Sequence, residues 1–392
     1  MKEPELRFPE FTDAWEQRKL GELVEIGDID HRMPETVADG IPYLMTGDFV
    51  GTNELNFDGT KMISEEDYCQ LSKKIKPEKG DILFARYASV GAARYVDFTR
   101  KFLISYSCAI IKKSKKINSK YLYHFITSDN AQQQIKLEIN TGSQANIGIS
   151  SMKNHIVVSM PPLGEQTKIA DALSNLDHLI TLHQRKYEQL LIVKKSMLEK
   201  MFPKEGEKVP EIRFEGFTDN WEQRKVKELC NIGTGKSNTQ DQVEDGIYPF
   251  YIRSDIPVKS NKYLYDCEAV ITIGDGNIGR VFHYVNGKFD LHQRCYKMTN
   301  FQDIWGKYFY YFFSTRFYDR AMKMTAKATV DSVRLEMISE MDIWKPTAID
   351  EQKKIAEFFA NLDALITLHQ RKYEKLLDVK KAMLSKLIGG AN

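Results

Sequence analysis

One long segment occurs twice in this chain, and this repeat constrains the fold more than any other feature. Residues 165–200 and 351–386 align without a gap and are identical at 26 of 36 positions. A shorter repeat precedes each copy, because the segments 7–19 and 213–225 are identical at 10 of 13 positions. The stretches between these markers differ. The pattern predicts two half-molecules with a constant frame and variable inserts.

Apolar residues recur along each long segment at alternating spacings of four and three. The series begins with Ile169 and Leu173 in the first copy and with Ile355 and Phe359 in the second. This heptad pattern predicts two long helices with coiled-coil packing. Polar residues interrupt the seam at equivalent places, namely His183, Lys194, His369 and Lys380. We expect them to set register and partner choice, with the histidines as hydrogen-bonded structural groups.

The inserts combine short β-rich runs with some helix. The segments 81–96 and 269–285 each predict a hairpin, and 120–128 and 307–315 predict a matched helix. The fold class is therefore α+β, with two divergent copies of one mixed α/β domain. We predict these segments: a first α/β domain at 1–162, a long helix at 163–203, a linker at 204–215, a second α/β domain at 216–347 and a second long helix at 348–392.

Composition places the chain among ordinary globular proteins. Apolar residues make up 42% of its 392 residues, and the net charge is +2, so any basic surface must be local. The five cysteines form no CxxC pair, which indicates a reducing compartment. Neither a signal-peptide pattern nor a run of about 18 apolar residues occurs, so we expect a cytoplasmic protein without a membrane partner.

Three segments imitate catalytic motifs but favour structural interpretations. Residues 274–279 form GxGxxG, yet a strand-like run follows where a dinucleotide site needs a helix. Residues 351–353 resemble part of a nuclease site, but a helix N-terminus explains the glutamate. Residues 160–163 lack the polar and aromatic members of an adenine-methyltransferase motif. We therefore expect no catalytic residue and no metal site, and a role in binding or as a scaffold.

Polar side chains that can contact base edges lie at the hairpins and loops of both inserts. Arg, Asn and Gln can form paired hydrogen bonds with bases. One such loop proves little, but recurrence in both inserts favours DNA binding. The candidates are Arg86, Tyr87, Ser143, Gln144 and Asn146 in the first insert, and Arg253, Asn277, Arg280, Gln293 and Arg294 in the second.

These features together resemble the specificity subunit of Type I restriction–modification systems. The resemblance covers essentially the whole chain. It rests on the two WEQRK segments, the glycine-rich hairpins and the NLDxLITLHQRKYExLL helices. It also rests on PxxxEQxxIA at 161–170, with a weaker form at 346–356. The combination is far more specific than any one motif.

The resemblance implies two target-recognition domains and two conserved helices, packed as an antiparallel coiled coil with approximate two-fold symmetry. Each domain would read one half of a bipartite, asymmetric sequence in double-stranded DNA. The helices would hold two modification subunits, which bind S-adenosylmethionine, and restriction subunits, which use ATP and Mg²⁺, would join them. No cofactor is expected on this chain. The expected partner-binding residues are Leu176, Ile180, Tyr187, Leu362, Ile366 and Tyr373.

Two other functions stay open at this point. The chain could be a non-catalytic coiled-coil scaffold with two protein-binding adaptor domains, or a stand-alone antitoxin or inhibitor of restriction. DNA affinity that falls steeply with salt would separate the specificity subunit from both. Neither the recognised bases nor the spacer length follows from the sequence.

Overall fold

The computed structural model describes residues 4–142, 144–204, 206–325 and 332–388. The chain divides into two compact units, Met1–Lys186 with His369–Asn392, and Tyr187–Leu368. Each long helix contributes part of its length to each unit. Each unit therefore contains one α/β insert together with a segment of both helices.

Short strands alternate with helices in the first half of the chain, which ends in a long helix. The strands are β1 (Glu16–Lys19), β2 (Ile26–Gly27), β3 (Ile41–Leu44), β4 (Phe49–Val50), β5 (Glu54–Leu55), β6 (Lys61–Ile63), β7 (Ile82–Ala85), β8 (Ala93–Tyr95), β9 (Leu103–Ile104), β10 (Cys108–Ile111) and β11 (Val157–Met160). The helices are α1 (Leu20–Leu23), α2 (Glu65–Leu71), α3 (Ser119–Thr127), α4 (Asp129–Leu137), α5 (Ile149–His155) and α6 (Leu163–Lys200).

The second half has longer central strands and a longer internal helix. The strands are β12 (Glu222–Lys225), β13 (Asn231–Thr234), β14 (Tyr248–Tyr251), β15 (Val258–Ser260), β16 (Tyr265–Ile273), β17 (Phe282–Leu291), β18 (Cys295–Thr299) and β19 (Asp342–Lys345). The helices are α7 (Val226–Leu229), α8 (Gly306–Thr325), α9 (Leu335–Ser339) and α10 (Ile349–Ile388).

The repeated EQRK segment is a strand that closes each insert. β1 pairs antiparallel with β11, with Glu16 opposite Met160. β12 pairs in the same way with β19, with Glu222 opposite Lys345. In both inserts the first strand therefore lies beside the strand directly before a long helix, and the two ends of the insert meet at the helix start.

The central strands follow the same order in both inserts. In the first they form two sheets, β2-β10-β7-β8 and β6-β3-β9, with β4-β5 as a separate pair. In the second they form one sheet, β13-β18-β16-β17-β14-β15. β17 pairs antiparallel with β16 and parallel with β14, whereas in the first insert β8 and β9 share these pairings. This shared order supports the interpretation of the inserts as divergent copies.

The two long helices pack antiparallel in each unit. The core of the first unit includes, from the start of α6 and the end of α10, Ile169, Leu173, Leu387 and Ile388. The core of the second includes Leu190 of α6, Met201 directly after it, and Ile355 and Phe359 from the start of α10. The start of one helix thus lies beside the end of the other in both units, and the predicted α+β class with packed helices is confirmed.

The polar seam residues pair across the helices. Nδ1 of His183 and Nδ1 of His369 are 2.9 Å apart, so one ring donates and the other accepts. Burial, His183 and the nearby lysines lower the pKa of His369. The expected structural role of these histidines is therefore confirmed. The seam lysines form ion pairs with carboxylates of the opposite helix, Lys380 with Asp177 in the first unit and Lys194 with Asp363 in the second.

A buried glutamate attaches the start of each long helix to the segment before its insert. Glu165 is fully buried and accepts hydrogen bonds from Arg7 at 2.9 and 3.0 Å and from Trp15 Nε1 at 3.2 Å. Glu351 accepts two from Arg213 at 2.6 and 2.8 Å. Paired hydrogen bonds of this kind hold a guanidinium in a fixed orientation. The glutamate of 351–353 therefore has a structural role.

The next residue, a glutamine, fastens the insert itself. Gln166 accepts from the backbone N–H of Asn118 at 2.8 Å and donates to the carbonyl of Pro161 at 2.8 Å. Gln352 accepts from the N–H of Trp305 at 2.8 Å and donates to Pro346 O at 2.9 Å. The repeated Glu-Gln pair thus gives both inserts the same attachment.

Candidate nucleic-acid interface

The first predicted hairpin consists of β7, β8 and the turn 86–92. Two residues of this turn have positive φ, Ala88 at 58° and Gly91 at 95°. The Gly91 N–H donates to Ala85 O at 3.1 Å, and the Ala92 N–H donates to Ser89 O at 3.0 Å. These two hydrogen bonds close the turn.

The second hairpin, formed by β16 and β17, has an equivalent turn. Gly276 and Gly279 have φ values of 83° and 68°, at positions that correspond to Ala88 and Gly91. A Cβ on Gly279 would lie 2.9 Å from the Cα of Tyr318, so this position requires glycine. Because β17 follows the glycines, the hairpin interpretation of GxGxxG is confirmed over the dinucleotide site.

Three segments meet at the base of each turn. In the first unit the Arg86 N–H donates to Ser107 O at 2.9 Å, and the Ile147 N–H donates to Arg86 O at 3.1 Å. Tyr87 and Asn146 also form an isolated β-bridge. The meeting point comprises the hairpin turn, the turn before β10 and the loop before α5. We call it the first loop junction.

The second unit contains the same arrangement, the second loop junction. The Gly274 N–H donates to Arg294 O at 2.7 Å, and the Val333 N–H donates to Gly274 O at 2.6 Å. Asp275 and Ser332 form the corresponding isolated β-bridge. Two inserts with different sequences therefore place the same three segments together by equivalent backbone hydrogen bonds.

Asp275 organises the charged groups of the second loop junction. Its carboxylate accepts from Arg253 Nη1 at 3.0 Å and from Arg294 Nη1 at 2.8 Å. Burial alone would raise the pKa of Asp275, but the two arginines hold it below its usual value. Both arginine side chains stay largely exposed, at 43% and 61%. A cavity of about 270 Å³ lies beside them, lined in part by Gly276 and His292.

Asp28 has the central role in the first loop junction. Arg86 and Lys74 form ion pairs with its carboxylate, and His31 lies 2.9 Å from it. Burial raises the pKa of Asp28, but hydrogen bonds from His31 and Lys74 and the charge of Arg86 bring it below its usual value. Arg86 also donates to Ile147 O at 3.0 Å. Asp28 is not among the residues predicted from the sequence, and its position directly after β2 is the signal that could have identified it.

The predicted residues of the first insert differ in their exposure. Arg86 is only 7% exposed, and its guanidinium lies 5.5 Å from the ring centre of the half-buried Tyr87. Gln144 is exposed, and its carbonyl accepts from the side chain of Asn146 at 3.0 Å. Ser143 lies outside the described residues. Arg86 therefore faces the protein interior at the junction, whereas Gln144 faces solvent.

The second insert brings most of its predicted residues together. Gln293 and Arg294 are exposed beside each other, and Gln293 donates to Asn238 Oδ1 at 2.6 Å. Asn277 is exposed at the tip of the turn. Arg280 instead points toward α8, where it donates to the Tyr318 hydroxyl at 2.8 Å and lies 4.4 Å from the centre of that ring. Arg280 is thus separate from the Asp275 cluster.

The predicted partner-binding residues lie in or beside the helix seam. Ile180, Leu362 and Ile366 are buried, and Leu176, Tyr187 and Tyr373 are half-buried. Other leucines of the repeated segment are exposed by 40–53%, namely Leu179, Leu182, Leu365 and Leu368. They occupy the same repeat positions in both helices. They are not among the residues predicted from the sequence, because the heptad pattern marks the seam and these leucines lie outside it. Their recurrence at equivalent positions of both helices is the signal that could have identified them.

We searched the described residues for membrane-spanning helices and for clusters of metal-binding side chains. No helix among the described residues is both long and apolar enough to span a membrane. No three His, Cys, Asp or Glu side chains come together as a potential metal site within the described ranges.

The fold and its two equivalent loop junctions define a protein with two related α/β domains on a repeated helical frame. The chain matches the family described as the type I restriction modification DNA specificity domain over residues 12–191 and 218–378, and it belongs to this family.

Named relatives and a solved structure resemble the chain over most or part of its length. The type I restriction enzyme MjaVIII specificity subunit of Methanocaldococcus jannaschii is 22% identical over 419 residues, which cover 98% of this chain and 94% of that protein. The EcoDI specificity subunit of Escherichia coli is 30% identical over 77 residues, or 20% of this chain and 17% of that one. The crystal structure of a type I system S subunit from M. genitalium is 16% identical, covers 100% of both chains and superposes with a TM-score of 0.75. That similarity shows a shared fold.

Proposed function

We propose that this chain is the DNA specificity subunit of a type I restriction–modification complex, and that each loop junction reads one half of a bipartite sequence in double-stranded DNA. The observation that carries the proposal is the recurrence of one loop geometry in two inserts of different sequence. A protein that reads two unrelated half-sites needs such a constant backbone with variable side chains at the tips. The chain has no catalytic role of its own in this proposal.

The second loop junction has the chemistry for direct base contacts. Arg253 and Arg294 are exposed, and the charge of Asp275 between them reduces their mutual repulsion. Guanidinium and amide groups can pair with base edges in the major groove. Gln293 lies directly beside Arg294 and is exposed as well. We assign base contacts to Gln293, Arg294 and Asn277, and a contact to either bases or phosphates to Arg253.

The first loop junction would read DNA with a different set of side chains. Arg86 is engaged by Asp28 and Ile147 O, so we propose that it holds the turn in position for binding. The groups that face outward include Ser89 at the tip and Gln144. His31 is exposed and stacks on Tyr106, with ring centres 5.0 Å apart. These three residues are the proposed contacts of the first half-site.

The helices would recruit the other subunits. Leu179 and Leu182 in the first unit and Leu365 and Leu368 in the second place equivalent apolar groups in solvent. Equivalent surfaces suit two identical partners. We propose that these leucines bind two modification subunits, and that restriction subunits join this assembly in the cytoplasm. S-adenosylmethionine, ATP and Mg²⁺ would be bound by those partners.

Binding of DNA by the assembled modification complex at several salt concentrations tests the proposal. Affinity should fall with salt along a clearly negative log–log slope. Arg294→Ala should weaken binding of cognate DNA by about 5- to 150-fold, because a base contact is worth roughly 1–3 kcal/mol. Arg224→Ala is the matched control, since Arg224 is comparably exposed in the same unit but lies in β12. A flat salt response, or equal affinity of the Arg294 and Arg224 variants, would contradict the proposal.

A further inference from the structure

The two long helices differ at ten positions, and these positions are unevenly distributed. Six lie within 167–178 and their counterparts within 353–364, where each helix adjoins its own insert. The other four differences in the first helix lie further along, at Gln189, Ile192, Ser196 and Glu199. The sequence difference is therefore concentrated where a helix meets an insert.

The differing residues of the first helix contact the first insert. Ser174 Oγ lies 3.2 Å from Nε2 of His124 in α3, and Thr167 Oγ1 accepts from the Asn118 side chain at 3.3 Å. Leu173 is fully buried in the core that contains the aromatic residues of α3. His178 lines a cleft of about 360 Å³ between α6 and the insert.

The second helix meets its insert through aromatic packing instead. Phe359 lies 5.3 Å from Tyr311 of α8 and 5.7 Å from Phe202, measured between ring centres. Phe358 contacts Phe214 at 6.3 Å. In the first helix the positions of Phe358 and Phe359 are occupied by Ala172 and Leu173. The contact between helix and insert is therefore formed by side chains of different volume in the two units.

His124 and Tyr311 occupy equivalent positions in the two inserts, and each has a different polar partner on its long helix. The Tyr311 hydroxyl donates to Asp363 Oδ2 at 2.8 Å, and Ala360 occupies the helix position that corresponds to Ser174. Nδ1 of His124 is 3.9 Å from Asp177 Oδ2, and the ring contacts the Ser174 hydroxyl instead. His124 is 1% exposed, so without Ser174 its Nε2 would be buried with no partner. Nδ1 of His124 has no hydrogen-bond partner among the described residues, so replacing Ser174 by alanine, as in the second helix, would leave both ring nitrogens unpaired.

Each insert also packs against residues at the end of the other long helix. Phe202, near the end of α6, lies against Tyr308 and Phe312 at ring-centre distances of 5.7 and 5.3 Å. Its counterpart at the end of α10 is Ile388, which belongs to the core of the first unit together with Leu387. An insert thus packs against the start of one helix and the end of the other.

We propose that these helix residues are positioning residues that fit each long helix to its own recognition domain. The module that can be exchanged as a unit therefore extends into the helices as far as residues 178 and 364. The inference rests on the proposed function only in treating the two domains as DNA-recognition domains. The packing of each domain against its helices does not depend on that function. The first domain placed on the second helix would lose the hydroxyl partner of His124, and the second domain placed on the first helix would lose the ring contacts of Phe358 and Phe359.

Chimeras of the full chain test the proposal. Residues 1–162 are replaced by 207–348, so that the second domain precedes both helices. The unmatched chimera has no other change. The matched chimera also carries the second-helix residues at the six positions near the start of α6, namely Thr167→Lys, Asp171→Glu, Ala172→Phe, Leu173→Phe, Ser174→Ala and His178→Ala. At the end of α10 it carries Leu387→Met and Ile388→Phe, the residues found after α6. A control chimera instead changes the four distant positions to Gln189→Lys, Ile192→Asp, Ser196→Ala and Glu199→Ser.

The matched chimera should unfold at least about 5 °C above the unmatched one, and the control chimera should behave like the unmatched one. Equal melting temperatures of the matched and unmatched chimeras would overturn the inference. The methylation pattern of the matched chimera tests the proposed function separately, since both half-sites should then carry the second sequence. A correct melting order with an unchanged pattern would refute the function and leave the matching intact.

Point variants keep the proposal testable if a chimera fails to fold. Ser174→Ala in the natural chain should lower the melting temperature by about 2–4 °C, because it removes the partner of His124. The double variant His124→Tyr with Ser174→Ala recreates the pair of the second unit and should recover most of this loss. A double variant no more stable than Ser174→Ala would also overturn the proposal.

Discussion

Lys380 of α10 forms an ion pair with Asp177 of α6, and the pair is almost enclosed by the protein. The two side chains are 9% and 14% exposed. Burial raises the pKa of Asp177, while the charge and hydrogen bond of Lys380 act in the opposite direction. The equivalent pair, Lys194 with Asp363, is 26% and 36% exposed. One repeated sequence thus produces the same ion pair in two environments, because the inserts around it differ.

Removing the lysine should therefore have unequal effects in the two units. Lys380→Met leaves a buried carboxylate without its cation and should lower the free energy of unfolding by about 3 kcal/mol. Lys194→Met should cost about 1 kcal/mol or less, because solvent screens the more exposed Asp363. Denaturant unfolding of the full chain measures both losses. Equal losses would show that burial does not determine the strength of these pairs.

Acid should destabilise the first unit through His124. Burial lowers the pKa of this ring from 6.5 to about 3. The unfolded chain therefore binds a proton near pH 6.5 that the folded chain rejects, so stability present above that pH is lost as the pH falls. One such ring contributes a slope that approaches about 1.4 kcal/mol per pH unit below 6.5.

The His124→Tyr variant isolates this contribution, since the second unit has tyrosine at the same place and its hydroxyl does not titrate in this range. Unfolding free energies measured between pH 6.5 and 5 should fall less steeply in the variant than in the natural chain. All other ionisable side chains are common to both proteins. Parallel slopes would mean that His124 is not kept neutral by folding.

The exposed helix leucines should matter for assembly and not for folding. Leu182→Asp together with Leu368→Asp should abolish co-purification with the modification subunits, because each buries an unpaired charge in the complex. The free chain should keep its stability within about 0.5 kcal/mol, since both side chains face solvent. Ile192→Asp is the matched control, because this side chain is 69% exposed and the second helix already has Asp378 there. Intact assembly of the leucine variant would place the partner surface elsewhere.

The sequence predicted the repeated frame because its signals are local. Heptad spacing indicates the seam at Ile169 and Leu173 directly, and the glycines at 276 and 279 indicate a turn wherever the strands finally lie. These features depend on neighbouring residues, so a single sequence suffices for them.

The contacts that shape the candidate site could not be predicted in this way. The sequence predicts Arg86 to be a DNA-facing arginine in a turn, yet Asp28, which is 58 positions earlier, forms an ion pair with its guanidinium. The same turn in the second unit has Gly274 at the position of Arg86, and there the exposed Arg294 supplies the cation beside Asp275. Which side chain faces outward depends on long-range pairings between strands, which periodicity does not encode.

A genome-wide methylation map of a host with the complete system tests the central claim most directly. The natural chain should give one bipartite, asymmetric methylated sequence. Gln293→Ala with Arg294→Ala should relax the bases of one half-site, while the other half-site and the spacer stay unchanged, because only the second loop junction is altered. Relaxation of both half-sites, or an unchanged map with full methylation, would contradict the account of two independent recognition domains.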